Sequence, residues 1–81
     1  MTAEIREIEI HRIRPNHRLV CQEKDIISLC EDIRLRGVQE PITVELVECW
    51  FQIVDGEKRW RACRKIGLNC IKTVILESPD R

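Results

Sequence analysis

Apolar and polar positions alternate near the start of the chain. Ile8 and Ile10 are interleaved with Glu7, Glu9 and His11, a period of two that predicts a strand over Glu7–His11. "RPNHR" then interrupts the pattern, because Pro15 and Asn16 are turn formers. From Glu23 to Arg36 the period changes. Ile26, Leu29, Cys30 and Ile33 recur at helical spacing, Asp25, Glu31, Asp32 and Arg34 fall on the other side, and Gly37 is placed to end the helix. Pro41 opens "PITVELV", a strand with Ile42, Val44 and Leu46 on one face, and "WFQIV" reads as its hairpin partner across a turn near Cys49 with weak turn chemistry. Gly56 leads into a second helix over Glu57–Ile66, closed by Gly67, and "CIKTVILE" is the last strand. The order β-α-β-β-α-β predicts an α/β (α+β) fold, a small mixed β-sheet with two main helices packed on it.

Composition narrows the class without changing that picture. Eighty-one residues make a single domain over 1–81, and 43% hydrophobic with 35% charged residues fits a globular chain with a well-solvated surface. Three Gly and three Pro leave no linker, repeat or low-complexity tract. No apolar h-region opens the chain and no run approaches the ~20 apolar residues of a membrane span, so a cytoplasmic protein without membrane contact is expected. The five cysteines, Cys21, Cys30, Cys49, Cys63 and Cys70, are odd in number and include no C-x-x-C pair, and His11 and His17 add no ligand pair. That argues against zinc and against a disulfide framework, and for reduced thiols packed as small hydrophobes.

Charge is where the sequence becomes specific. Basic and acidic residues balance at 14 each, yet Lys58, Arg59, Arg61, Arg64 and Lys65 cluster within the second helix, offset only by Glu57. On a helical wheel Trp60, Ala62, Cys63, Ile66 and Gly67 share an apolar arc, and Lys58, Arg61, Arg64 and Lys65 point to water, as on any amphipathic helix. Arg59 does not: its direction lies inside the apolar arc. A guanidinium turned inward requires a partner, either an internal carboxylate such as Asp55 or Glu40, or a bound anion. Lys58 and Arg59 also occupy a first turn whose dipole favours negative charge, and Gly56 allows close backbone approach. The residues leave both partners open.

"GEKRWRACRKIGL" resembles the "GERRWRAA…AGL" box of the ParB N-terminal domain, in the ParB/sulfiredoxin superfamily. "IEIHRIRPNHR", "DIISLCEDIRLRGVQEPITV" and "NCIKTVI" resemble that family's opening strand, its helix and following strand, and its closing strand, in the same order. The resemblance implies a nucleotide-binding, CTP-type module with magnesium, in which the nucleotide switches a DNA-sliding clamp. Gly56, Lys58 and Arg59 would then contact phosphate oxygens, with Arg61 on the solvent side adding field strength. Glu57 would stand at the catalytic position linked to metal or water during a weak CTPase reaction, and Trp60 and Ala62 would pack in the core.

Some positions depart from the family pattern. Glu40 stands where the family has Gln before the strand-opening Pro, with Gln39 one place earlier, and Asp55 replaces a small residue. These three bear on base recognition or metal binding. Where sulfiredoxin carries its reactive Cys, in "G-C-H-R", this chain has Glu57, so a cysteine-based reductase is not expected. The family's "E-N-x-Q-R" box and helix-turn-helix lie beyond the matched segment, so DNA is expected as a partner only weakly, or through such a domain. The regulatory part of a DNA-partitioning or transcription-related system, with a homodimer as its assembly, is the leading expectation. A superfamily kinase acting on a free amino acid, a nucleic-acid-binding module using Lys58, Arg61, Arg64 and Lys65, or a degenerate module that keeps the fold as a protein-interaction unit, are the alternatives.

Overall fold

Strand β1 (Glu4–Glu9) gives way to a 3-10 turn (Ile10–Arg12) and a two-residue strand β2 (Ile13–Arg14). Helix α1 (Glu23–Arg36) follows, then β3 (Ile42–Val47), β4 (Trp50–Asp55), helix α2 (Glu57–Lys65) and β5 (Cys70–Leu76). This is a computed structural model, and it describes residues 4–16, 22–38 and 40–76. The five strands form one mixed sheet in the order β1-β5-β3-β4-β2. β5 runs antiparallel to β1 and parallel to β3, β3 and β4 form the antiparallel hairpin, and β2 lies parallel to β4 through Ile13 and Arg14. The expected α/β (α+β) architecture, a mixed sheet with two helices, is therefore the observed one.

Helical spacing set α1 correctly at both ends. Ile26, Cys30 and Ile33 are buried, Leu29 packs beside them, and Gly37 closes the helix at φ 77° while its N–H donates to the Ile33 carbonyl at 2.7 Å. Trp60, Ala62 and Cys63 of α2 join the same core with Ile42, Val44, Ile53 and Ile71 of the sheet. Each of these large aliphatic side chains contributes about 1.5–3 kcal/mol by leaving water. Both helices thus cover one face of the sheet. On the other face Ile5, Val47, Trp50, Val54 and Leu76 remain exposed.

The opening strand lies earlier in the chain than the alternation predicts. It runs Glu4–Glu9, not Glu7–His11, because the chain turns at Ile10. The turn is fastened on two sides: Ile10 N donates to the Asn69 carbonyl at 2.8 Å, and Trp60 Nε1 donates to the Ile10 carbonyl at 3.4 Å. Leu46 shares a face with Ile42 and Val44 but is 54% exposed, since the hairpin end runs past the helices. Glu48 takes the left-handed conformation in the hairpin turn (φ 58°), the backbone counterpart of its weak turn chemistry. α2 stops at Lys65, with Ile66 as its cap, and Gly67 is exposed. No helix among the described residues is long and apolar enough to cross a membrane.

Candidate functional site

The β4–α2 junction is shaped by Gly56. It caps α2 in the left-handed region (φ 101°, ψ 25°) and, as a glycine, has no side chain to bond the helix start. A Cβ there would stand 2.8 Å from Ile42 Cγ2 and 2.9 Å from Ile42 Cβ, so only glycine lets the helix begin this close to β3. The helix's first hydrogen bond runs from Trp60 N to the Gly56 carbonyl at 3.0 Å. The N–H groups of Glu57, Lys58 and Arg59 precede that ladder, at the positive end of the helix dipole.

Arg59 turns inward, as its wheel position implied, and its side chain is 26% exposed. Its partner is Glu40, not Asp55: Nη2 lies 3.5 Å from Glu40 Oε1, and Nη1 donates to the Pro41 carbonyl at 3.4 Å. Both distances exceed the ~2.7–2.9 Å of a firm charge-assisted bond, and Glu40 is 77% exposed, so the pair is weakly held. Asp55 is exposed and forms no ion pair among the described residues. Gln39 lies outside the described residues, as do His17 and Cys21.

Glu57 is buried. Its Oε1 accepts from Asn16 N at 3.2 Å and its Oε2 from Arg61 Nε at 2.8 Å. The carboxylate therefore ties the segment after β2 to the start of α2. Arg61, read from the wheel as solvent-facing, is half-buried by this contact one helical turn away. The i,i+4 spacing of Glu57 and Arg61 was the sequence signal for it. Asn16 had no such signal, because it bonds through its backbone.

The remaining cations of α2 are not a bare solvated face. Lys58 pairs with Asp25 at 3.3 Å and Lys65 with Glu23 at 2.9 Å, both acids standing in the first turn of α1. Arg64 lies over the Trp60 ring, 4.5 Å from its centroid. Among the expected site residues, then, the structure brings Gly56, Glu57, Arg59 and Glu40 to one junction, with Lys58 and Arg61 anchored at its margins.

Cys63 lies beneath this helix. Burial pushes its thiol up from 9.0 to about 11, with the positive charge of Arg59 acting against the shift and Cys30 adding to it. Cys30 and Cys63 are buried and free, Cys49 and Cys70 exposed and free. A thiol-specific alkylating reagent at about pH 8 is expected to label Cys49 and Cys70 at once, and Cys63 only on unfolding. Because the folded protein holds the neutral thiol, Cys63 stabilises the fold below about pH 9 and loses that contribution as pH rises toward 11. Peptide mapping after brief alkylation checks the first statement and alkaline unfolding the second.

The chain matches the ParB N-terminal domain family over residues 1–81. A nucleoid occlusion protein of Geobacillus thermodenitrificans is 38% identical over 84 residues, covering 96% of this chain and 29% of that protein. The chain thus spans under a third of the length of the curated relatives it matches. Among solved structures, a truncated chromosome-partitioning ParB from Caulobacter crescentus, complexed with CTP-γ-S, superposes with a TM-score of 0.83 at 34% identity, over 95% of this chain and 46% of that one. Sulfiredoxin from Arabidopsis thaliana superposes with a TM-score of 0.81 at 27% identity, over 93% of this chain and 86% of that one. With its glycine-started helix, its box of charged residues and these likenesses, the chain belongs to the ParB N-terminal domain family.

Proposed function

We propose that this domain binds the phosphates of a CTP-type nucleotide at the β4–α2 junction, as a regulatory module of a DNA-partitioning or nucleoid-occlusion system. One observation carries the reading: Arg59 stands in the first turn of a glycine-started helix, held among the described residues by contacts of 3.4 and 3.5 Å. A phosphate oxygen at the helix start offers short charge-assisted bonds in place of long ones to an exposed carboxylate and a carbonyl, so the exchange favours the ligand. Gly56 supplies the close backbone approach, Lys58 and Arg59 the charge, and Arg61 reinforces the field while holding Glu57.

Magnesium fits this site as a companion of the nucleotide. No cluster of three His, Cys, Asp or Glu side chains among the described residues could hold a metal by itself. Magnesium characteristically keeps several waters and binds through phosphates with one or two carboxylates. Glu40, exposed beside Arg59, is the carboxylate placed to serve, and the ion would neutralise phosphate charge there.

Arg59→Ala separates ligand binding from folding. Calorimetric titration with CTP and magnesium is expected to show at least a tenfold (about 1.4 kcal/mol) loss of affinity. Thermal stability should change by only about 1 kcal/mol, because the native contacts of the side chain are long. Absence of heat with CTP, ATP or ADP at millimolar concentration for the unaltered chain sinks the proposal.

A further inference from the structure

The positive charge that α2 does not neutralise against α1 gathers elsewhere. At the β2 edge of the sheet lies an open cavity of about 650 Å³, lined by His11, Arg14, Trp50, Trp60, Arg64 and Asn69 among others, with no Asp or Glu in its wall among the described residues. A second cavity of about 320 Å³, on which Val47, Glu48 and Gln52 border, shares Arg14, Pro15 and Trp50 with the first. The Arg14–Trp50 pair is thus a ridge between two hollows. Gly56, Lys58 and Arg59 are not among the residues lining this cavity, so it is a different place from the junction site, although Trp60 lines it and bonds Gly56 through its backbone.

The two guanidinium groups are held in an unusual way. Arg14 lies over the Trp50 ring at 3.6 Å from its centroid, and Arg64 over Trp60 at 4.5 Å. Neither forms an ion pair with a carboxylate among the described residues. By contrast, Lys58, Arg59, Arg61 and Lys65 all do. Stacking engages the face of a guanidinium and leaves its edge N–H donors free, so such a group can take a phosphate without giving up the ring. Its outer face can in turn receive a nucleobase, since guanidinium planes and aromatic rings both serve as stacking platforms. Trp50 is 41% exposed, with Val47 paired opposite it and also exposed. Cations for the backbone and π-faces for the bases occur in one concave place.

We infer that this β2-edge groove binds single-stranded nucleic acid, with Arg14 and Arg64 on phosphates and the Arg14–Trp50 stack on a base. A duplex keeps its bases turned inward and could use only the charge. An acidic peptide could use the cations but leaves the stacking surface idle.

The test is fluorescence anisotropy of a labelled single strand of about ten nucleotides, titrated with the 81-residue chain. Saturable binding is expected, weakening about sevenfold between about 50 and about 200 mM salt if two phosphates are contacted. Trp50 emission should be quenched on binding. Arg14→Glu with Arg64→Glu should weaken binding at least about tenfold, and Trp50→Ala about fivefold or more. Lys24→Glu with Lys65→Glu, an equal change of net charge away from the groove, should alter it by less than about twofold. If the reversed pair does not fold, Arg14→Gln with Arg64→Gln serves in its place, judged by circular dichroism. Lack of binding overturns the inference. So does an equal loss in the Lys24/Lys65 variant, or equally tight binding of a duplex or a polyglutamate peptide.

Discussion

Gly56→Ala is expected to lower the stability of the fold by about 2–5 kcal/mol and to abolish the proposed nucleotide binding with it. Two costs combine. An L-residue in the left-handed region costs roughly 1–2 kcal/mol, and forcing a methyl into a packed interior roughly 1–3 kcal/mol more. The second applies because the new carbon would meet the Cβ and Cγ2 of Ile42, whose side chain is fully buried and cannot swing away. An 81-residue domain has only roughly 4–12 kcal/mol in total, so the melting temperature should fall by about 10 °C or more. Gly37→Ala and Gly67→Ala are the controls. Both glycines have positive φ, 77° and 86°, but nothing lies within 4 Å of an added Cβ. They should lose only the conformational part, about 1–2 kcal/mol. Equal losses at all three positions in thermal unfolding would show that the contact with Ile42 does not limit this junction.

Replacing Glu57 should separate a structural carboxylate from one that acts only on a ligand. Glu57→Ala removes the acceptor for both Asn16 N and Arg61 Nε. Arg61 is 36% exposed and can turn to water, so the loss is that of the bonds and not of a stranded buried charge. About 2–3 kcal/mol is expected. Glu57→Gln keeps the shape and one accepting oxygen, but its amide group cannot accept from a second donor, so about 1–2 kcal/mol is expected. Amide hydrogen exchange at Asn16 should accelerate in both variants, and most in the alanine. Unchanged melting temperatures and unchanged exchange would mean that Glu57 holds nothing, leaving the chemical role implied by its family position as its whole contribution.

These effects fall where the sequence was only partly legible. α1 could be placed to the residue because four apolar side chains at helical spacing meet a glycine stop, and local periodicity decides such an element. The β3–β4 hairpin followed from alternation in the same way. The turn at Ile10 was invisible, since what fastens it is Trp60, fifty residues away, and Asn69, further still. The basic cluster misled for a related reason. A wheel shows which way Lys58 and Lys65 point but not that Asp25 and Glu23 wait there on another helix. Arg59's inward turn was legible because it is a property of α2 alone, whereas its choice of Glu40 over Asp55 depends on how β3 enters the sheet. Arg14 on Trp50 required knowing that a two-residue strand pairs with β4.

The strand order has one more implication, for the newly synthesised chain. β5 is made last of the five strands, yet it lies between β1 and β3, antiparallel to one and parallel to the other. Until residues 70–76 emerge from the ribosome, the first strand has no neighbour and the β3 edge stands bare. Assembly therefore waits for the insertion of a closing segment into a gap, a route dominated by sequence-distant pairing and correspondingly slow. A nascent polypeptide halted before Cys70 is expected to be a chaperone client and not a half-built domain.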